Sequence, residues 1–375
     1  MKNKEVHIVC LDVPYPVNYG GVVEMFFKIK ALHQKGIKIH LHCFEYGRGE
    51  QNTLEEYCKS VYYYPRNEGP NGFSFSIPYI VASRNNPELW SRLQKDNLPV
   101  ILEGIHSSYG LYNGMLKNRK VILRLHNVEY EYYKQLAKWE RSLVKKTYFH
   151  HESRLLEKYE KQIANSCMIL TLTEKDRQVY KSKFSAGHIS HLPAFTENQQ
   201  LQTQNGSGNY VLYHGNLSVA ENEKAAIWLL EKIFSDLDVP LVIAGKNPSE
   251  KLIKLSHKQS NTCIIVNPDE NEMNDLIAKA HLHVLPSFTE SGIKFKLINA
   301  LFKGRHVIAN EAMVKGTGLE TLCHIADNPK LLKYQIYRLY QTPFTDEHGK
   351  EREKVLSRIF NNEKNAERII NLLFD

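Results

Sequence analysis

The sequence predicts an α/β protein made of two doubly wound domains, each built on a parallel β-sheet. Short, continuously apolar runs alternate with longer segments of helical periodicity, the pattern of a sheet covered by helices on both faces. The alternation stops at a polar segment, 196–209, and then restarts. The chain has 375 residues, more than one domain usually contains. We therefore expect domains at 1–196 and 209–350, followed by a helix at 351–375.

In the first half, six apolar runs have the length of buried strands: 6–11, 37–43, 61–64, 100–103, 121–125 and 167–172. A helix is predicted at 22–35. A longer charged segment, 129–164, carries apolar residues at helical spacing and is predicted to be helical with a break near its middle.

The second half repeats this order. Its predicted strands lie at 210–215, 240–245, 263–266, 281–286 and 306–310, and its predicted helices at 221–234, 248–259, 270–280 and 293–303. A lone helix is expected over 351–373. Ligands of doubly wound domains bind beyond the carboxyl ends of the strands, so a site is expected there, in a cleft between the domains.

Composition narrows the class of protein. The hydrophobic fraction of 42% and the charged fraction of 24% are those of an ordinary globular protein. No signal peptide and no apolar stretch of membrane-spanning length is recognised, so a cytoplasmic location is expected. The six cysteines are scattered, and four of them lie in apolar runs, which predicts buried free thiols. These four are Cys10, Cys43, Cys167 and Cys263.

The net charge of +8 belongs to the first half. Residues 1–195 contain 28 Lys and Arg against 19 Asp and Glu, whereas residues 196–375 contain 21 against 22. This excess could face an anionic partner such as the inner membrane surface, through Lys134, Lys138, Arg141, Lys145 and Lys146, or be an ordinary solvated surface. Nucleic acid is not expected as a partner, because no recognised binding module occurs.

Polar residues follow several strands of the first half. PYPVNYGG comes directly after the first strand, and Gly20 and Gly21 would let the backbone approach a phosphate or sugar at a helix N-terminus. His126 follows the fifth strand, where an imidazole can exchange a proton near neutral pH. Glu103 and His106 follow the fourth strand. A plain tight turn and a half-buried structural histidine are the alternatives to a ligand site.

Two segments of the second half have the form of a phosphate site. The strand at 210–215 leads into Gly215 and Asn216, and a loop of this shape can hold a diphosphate through its backbone. Ser291 and Gly292 precede a predicted helix, whose first N–H groups are free to bind phosphate oxygens.

The helix after Gly292 carries basic residues on a defined face. Lys296, Asn299 and Lys303 recur at i, i+3 and i+7 and share one side of the helix. Lys294 would lie about 200° away from Lys296 if it were helical. Lys296 is therefore the better phosphate ligand, while Lys294 could serve from an unwound first turn.

Taken in order, these segments resemble the group 1 (family 4) glycosyltransferases, which are retaining enzymes of the GT-B fold. The resemblance covers essentially the whole chain. It rests on PYPVNYGG, LHQKGIKIHLHCF and LHNVEYEYY in the first half, and on HGNLSVAEN, PLVIAGKNP, VNPDENEMNDLIAKAHLHVLPS and SGIKFKLINALFKGRHVIAN in the second. It implies two Rossmann-like domains facing across a cleft, with a C-terminal helix that can cross back to the first.

The resemblance also implies roles for single residues. His126 matches a histidine beside the transferred sugar, and Lys296 resembles the lysine that holds the donor diphosphate. Glu290 resembles a residue that contacts the donor sugar. The other matching positions are Gly20, Gly21, Ser291, Gly292, Ile293 and Lys294. Asn299 stands where the family usually has a glutamate for the ribose hydroxyls, and an amide binds a diol without charge assistance.

The implied reaction moves a sugar from a UDP- or GDP-sugar to a saccharide or lipid-linked saccharide, with retention, in the synthesis of cell-surface polysaccharide or other glycans. No cofactor is implied, and a divalent cation is not expected to take part. One alternative is a sugar-nucleotide 2-epimerase, which would form product from the donor alone. Another is a non-catalytic nucleotide- or glycan-binding homologue, which Asn299 favours.

Overall fold

The computed structural model of the chain describes residues 4–140, 142–290 and 292–375. These residues form two compact units, each built around one parallel sheet. The first unit runs to Glu197 and includes Gly292, Ile293 and Phe360–Asp375, and the second comprises Asn198–Glu290 and Lys294–Ile359. The predicted fold class of two doubly wound α/β domains is confirmed.

The first unit contains a seven-stranded parallel sheet in the order β3-β2-β1-β4-β5-β6-β7. Its strands are β1 (Glu5–Cys10), β2 (Lys38–Glu45), β3 (Ser60–Pro65), β4 (Val100–Glu103), β5 (Val121–Leu125), β6 (Met168–Thr171) and β7 (Ile189–His191). The order reverses between β1 and β4, so the carboxyl ends of these two strands flank the expected ligand position of this unit.

Helices cover both faces of this sheet over two buried apolar clusters. They are α1 (Gly20–Gln34), α2 (Tyr79–Ala82), α3 (Pro87–Leu93), α4 (Tyr109–Tyr112), α5 (Glu129–Trp139), α6 (Leu143–Ile163) and α7 (Glu174–Lys183). The break expected in the long charged segment separates α5 from α6. Ser142 caps α6 by accepting a hydrogen bond from the backbone of Lys145.

The second unit contains a six-stranded parallel sheet in the order β10-β9-β8-β11-β12-β13. Its elements are β8 (Val211–Asn216), α8 (Ala220–Lys232), β9 (Leu241–Lys246), α9 (Glu250–Ser256), β10 (Thr262–Val266), α10 (Glu270–Lys279), β11 (Leu282–Leu285), α11 (Phe295–Lys303), β12 (His306–Ala309), α12 (Glu311–Val314), β13 (His324–Ile325), α13 (Pro329–Tyr340) and α14 (Asp346–Ile359). The order reverses between β8 and β11.

The prediction of one lone helix over 351–373 is wrong. The chain forms α14 in the second unit and a separate helix, α15 (Asn362–Phe374), in the first. Asn361 starts α15 by accepting a hydrogen bond from the backbone of Lys364. Ile369 of α15 is buried in the apolar cluster beneath α1, so α15 is part of the first unit's core.

Two short edge strands were not predicted from the sequence, and the prediction that Cys263 is buried is wrong. β7 and β13 are three and two residues long, too short to show a period in the sequence. Cys10 and Cys43 are buried as expected, but Cys263 is exposed, because its strand β10 lies at the edge of the second sheet.

Candidate active site

Gly20 and Gly21 form the first turn of α1, directly after the loop that leaves β1. A Cβ atom on Gly21 would lie 2.9 Å from Cε2 of Tyr19 and 3.7 Å from Nδ1 of His126. A side chain at position 21 would therefore crowd the tyrosine ring. The structure brings the predicted glycine turn and the predicted histidine together within the first unit.

His126 is held by the end of the neighbouring strand. It follows β5, is 8% exposed, and its Nε2 lies 3.0 Å from Oε2 of Glu103, the last residue of β4. Lys28 of α1 donates a hydrogen bond of 2.8 Å to the same carboxylate. Burial tends to raise the pKa of Glu103, but Lys28 and His126 outweigh it and hold that pKa below its usual value.

A second ion pair continues from Lys28. Glu24 accepts hydrogen bonds from Lys28 at 3.2 Å and from Nε of Arg124 at 2.8 Å, and all three side chains are fully buried. Burial tends to raise the pKa of Glu24, but Arg124 and Lys28 outweigh it and lower that pKa to about 2. Of these residues only Glu103 was predicted from the sequence. The one sequence signal for the others is the spacing of Glu24 and Lys28, four residues apart in an apolar helix.

In the second unit, the turn after β8 is closed by Asn222. Its Nδ2 donates a hydrogen bond of 2.9 Å to the carbonyl of Asn216. A Cβ atom on Gly215 would lie 3.4 Å from the side chain of Asn222. The predicted residues Gly215 and Asn216 therefore form a compact turn at the end of β8, beside the point where the sheet order reverses.

Lys296 points to this turn. Its Nζ donates a hydrogen bond of 2.9 Å to Oδ1 of Asn222 and lies 5.0 Å from the ring centre of Tyr213. Burial, only partly offset by the charge of Glu221, lowers the pKa of Lys296 to about 8. The half-buried Lys296 is thus linked through Asn222 to Asn216, in the segment predicted to bind phosphate.

Lys294 and Lys303 take other directions. Lys294 immediately precedes α11 with an extended backbone, and its Nζ donates a hydrogen bond of 3.3 Å to the carbonyl of Thr289. Lys303 bonds Oδ1 of Asn274 at 2.9 Å. The α11 helix begins only at Phe295, so Lys294 is outside its helical spacing. The ammonium of Lys303 lies against α10 rather than beside Asn222.

Glu221, in the first turn of α8, was not singled out from the sequence. Its Oε1 accepts hydrogen bonds from Oγ of Ser287 at 2.7 Å and from the backbone of Phe288 at 3.0 Å and of Thr289 at 3.1 Å. Burial tends to raise its pKa, but these donors and the charge of Lys294 hold that pKa below its ordinary value. The carboxylate fixes the start of the loop between β11 and α11.

The remaining predicted residues have more ordinary surroundings. Oδ1 of Asn299 accepts a hydrogen bond of 3.1 Å from Asn198. Glu290 lies 3.4 Å from Nζ of Lys315 in a partly exposed ion pair. Gly292 has φ of +63°, a conformation that favours glycine. Ile293 is half-buried, and Ser291 lies outside the described residues.

Within residues 4–140, 142–290 and 292–375, no group of three or more His, Cys, Asp and Glu side chains is placed to hold a metal ion. In the same part of the chain, no helix has the length and apolar character needed to cross a membrane.

Residues 208–342 match the family model for glycosyl transferases group 1. A curated relative, an uncharacterised 44.6 kDa protein in the cps region of Klebsiella pneumoniae, is 29% identical over 332 residues, which is 84% of each chain.

Solved structures resemble the whole chain. The crystal structure of TarM matches with a TM-score of 0.70 at 13% identity over 99% of both chains. HepE of Anabaena, solved in complex with UDP and glucose, matches with a TM-score of 0.66 at 12% identity, again over 99% of both chains. At this identity the structures establish the fold, and the family model identifies the enzyme class. The chain is a glycosyltransferase of the GT-B fold, and its residues 208–342 match the group 1 family model.

Proposed function

We propose that the protein transfers a sugar from a UDP- or GDP-sugar to a saccharide or lipid-linked saccharide, with retention, as a family 4 enzyme of cell-surface polysaccharide synthesis. The observation that carries this is the setting of Lys296. Among the described residues its hydrogen-bond partners are the neutral groups of Asn222 and Tyr213. A half-buried ammonium group whose hydrogen-bond partners are neutral is ready to bind an anion that arrives with the substrate.

The leaving group of this reaction is a nucleoside diphosphate, so negative charge grows on phosphate oxygens as the sugar departs. Lys296, Lys294 and the first N–H groups of α11 can stabilise that charge without a metal ion. Retention requires the acceptor to attack the face that the diphosphate leaves. In this mechanism a diphosphate oxygen takes the proton of the acceptor hydroxyl, while His126 and Glu290 contact the transferred sugar.

UDP is the nucleotide that we favour. A variant of TarM from S. aureus was solved in complex with Fondaparinux, alpha-GlcNAc-glycerol and UDP, and HepE in complex with UDP and glucose. Asn299 is placed on α11 three residues after Lys296, where its amide can hydrogen-bond the ribose hydroxyls. The location of the Klebsiella relative in a cps region supports polysaccharide as the product.

A thermal-shift series tests the donor class. UDP should raise the Tm of the protein by several degrees at saturation, more than GDP or ADP does, because a ligand that binds only the folded state stabilises it. The Lys296→Ala variant should show no shift with UDP. A wild-type Tm that none of the three nucleotides changes would exclude a nucleoside-diphosphate site.

Product analysis separates the enzymatic alternatives. A glycosyltransferase needs an acceptor, a 2-epimerase converts the sugar nucleotide alone, and a non-catalytic homologue binds UDP with no product in either case. The hydrogen bond between Asn299 and Asn198 is the observation that favours the last, because it uses one of the two acceptor positions that Oδ1 of Asn299 could offer to the ribose.

We further propose that the first unit touches anionic membrane at the start of α6, which would bring the enzyme to a lipid-linked acceptor. Leu143 and Val144 are 79% and 81% exposed, and the exposed Lys145 and Lys146 follow them. Exposed apolar side chains beside lysines suit an interface in which the former enter the acyl boundary and the latter meet anionic headgroups.

The protein should therefore co-sediment with vesicles containing phosphatidylglycerol and not with phosphatidylcholine vesicles. Replacing Leu143 and Val144 together by serine should reduce that binding by about tenfold, since each loses buried apolar area. Tyr334→Ser, which removes an exposed aromatic residue of the second unit, is the matched control. Equal sedimentation with both vesicle types would contradict the proposed contact.

A further inference from the structure

A chain of four charged side chains ends at His126 in the first unit. We call it the buried charge relay: Arg124, Glu24, Lys28 and Glu103. Successive partners are 2.8 Å, 3.2 Å and 2.8 Å apart, and each side chain has 0% exposure. Two cations and two anions balance one another, so the relay is neutral without any charge on His126.

The relay fixes the ionisation of Glu103. An ammonium group 2.8 Å from a fully buried carboxylate stabilises the ionised form of the acid. An ionised carboxylate has no proton to donate and can only accept hydrogen bonds. The contact of 3.0 Å between Glu103 and Nε2 of His126 therefore requires the proton of a neutral imidazole to be on Nε2.

The other ring nitrogen is then a bare acceptor. Nδ1 of His126 is on the side of Gly21, 3.7 Å from the position that a Cβ atom would take there. Gly21 belongs to the first turn of α1, the part of this unit where the sheet order opens a ligand position.

We propose that Lys28 is a positioning residue that acts through Glu103 to fix His126 as the Nε2–H tautomer, so that Nδ1 accepts a hydrogen bond from a ligand hydroxyl. A diphosphate oxygen, which is itself an acceptor, would be repelled at this position. The identification of that hydroxyl with a sugar hydroxyl rests on the proposed function, whereas the tautomer does not.

Without Lys28, the relay predicts the opposite tautomer. A buried carboxyl that has lost its cation takes up a proton, because a charge in a low-dielectric interior is unfavourable. The protonated Glu103 would then donate to Nε2, and the proton of the imidazole would move to Nδ1. The nitrogen that faces Gly21 would change from acceptor to donor. If the relay served only to hold α1 on the sheet, the loss of Lys28 would not be expected to change the tautomer of His126.

The tautomer can be read directly in the wild-type protein. Protonated and bare ring nitrogens differ strongly in 15N chemical shift, and 15N-histidine labelling reports both nitrogens at pH 8.5, where an ordinary imidazole is neutral. The His126→Gln variant assigns the signal among the 17 histidines. We expect the proton on Nε2 of His126. A proton on Nδ1 in the wild type would overturn the inference.

Two variants test Lys28 itself. Lys28→Met should move the proton to Nδ1. Lys28→Gln, a second neutral variant whose amide can still donate a hydrogen bond to Glu24, should do the same and guards against a result caused by loss of folding. In both variants Arg124 and Glu24 still balance one another once Glu103 is protonated. Lys30→Met, on the same helix over the ring of Tyr57, is the matched control and should leave the tautomer unchanged. An unchanged Nε2–H tautomer in both Lys28 variants would exclude the role of Lys28.

Turnover gives a second readout. In Lys28→Met, kcat for sugar transfer should fall by about tenfold or more, the direction that a wrong tautomer gives in other enzymes. UDP affinity, which depends on Lys296 in the other unit, should stay within about twofold. If UDP bound no form of the protein, the proposed function would fail, and the tautomer measured by NMR would still decide the inference.

Discussion

Replacing Lys296 by methionine should abolish UDP-sugar turnover and at the same time stabilise the folded protein. A single preorganised donor that meets developing charge contributes about 100-fold or more to the rate, so at least that loss is expected. Without a ligand, the positive charge of Lys296 destabilises the folded protein, because burial disfavours the charged form and lowers the pKa of Lys296 to about 8. Methionine fills a similar volume without the charge, and we expect Tm to rise by about 2–6 °C.

Lys303→Met is the matched control, since Lys303 is on the same helix with its ammonium on Asn274. It should leave turnover within about twofold. Calorimetry of UDP binding and unfolding of the two variants separates the two effects. Normal turnover in Lys296→Met would remove Lys296 from the mechanism. A lower Tm would show that its bond to Asn222 outweighs the cost of burial.

Proton linkage gives the Lys296 experiment an independent readout. The free protein loses the proton of Lys296 near pH 8, whereas a bound diphosphate stabilises the charged form and raises that pKa. Binding should therefore take up a proton above about pH 8, and UDP affinity should fall by up to about tenfold per pH unit until the pKa of the complex is reached. Titrations in two buffers of different ionisation enthalpy measure the proton uptake. In Lys296→Met this uptake should vanish.

Much of the fold was predictable because most of the strands contain a continuous apolar run. All the strands predicted from the sequence form, including 121–125 at its predicted ends. The failures have local causes. β13 comprises only His324 and Ile325, and the stop between α14 and α15 depends on the cap at Asn361 and the burial of Phe360. Neither signal stands out from the helical pattern on both sides.

In the candidate site, the sequence predicted which residues lie at the ends of strands and helices, but not which side chains contact one another. His126 and Lys296 could be found because each follows a feature that the sequence shows, a strand end and a helix start. Their partners could not. Glu103 was grouped with His106 by sequence proximity, whereas its bond goes to His126, 23 residues away. Glu221 and Ser287 meet only because β8 and β11 are neighbours in the sheet.

The two units also differ in whether their buried charged groups are hydrogen-bonded to charged or to neutral partners. In the first, Glu24 and Glu103 lie directly against Lys28 and Arg124, so the pairs are compensated before any ligand binds. In the second, the ammonium of Lys296 is bonded to neutral groups. A compensated set holds a geometry, whereas a charge that Glu221 only partly compensates provides binding energy for an anion. Mutations of the first set should therefore affect stability most, and mutations of Lys296 should affect binding most.

The largest stability effect is expected from Arg124→Met. Arg124 donates to the carbonyls of Leu192 at 2.7 Å and Pro193 at 3.0 Å as well as to Glu24. Its loss leaves these acceptors without this donor and leaves the fully buried Glu24 with one cation fewer. Breaking a buried pair in this way costs about 3–5 kcal/mol of unfolding free energy, which corresponds to a fall in Tm of about 10 °C. Arg154→Met, on the exposed side of α6, should change the unfolding free energy by less than about 0.5 kcal/mol.

A double-mutant cycle with Glu24→Gln tests whether charge is the cause. The double variant should be less destabilised than the sum of the single variants, by about 1–3 kcal/mol, because removing both charges leaves neither unpaired. The pH dependence has a definite sign. With Arg124 present, the pKa of Glu24 is about 2, so its contribution is complete above its unfolded pKa and is lost as pH falls toward 2. Without Arg124 that carboxyl can take up a proton at higher pH, so the cost of the mutation should shrink between pH 7 and pH 4. A cost that did not change with pH would indicate lost packing around the guanidinium instead of lost charge pairing.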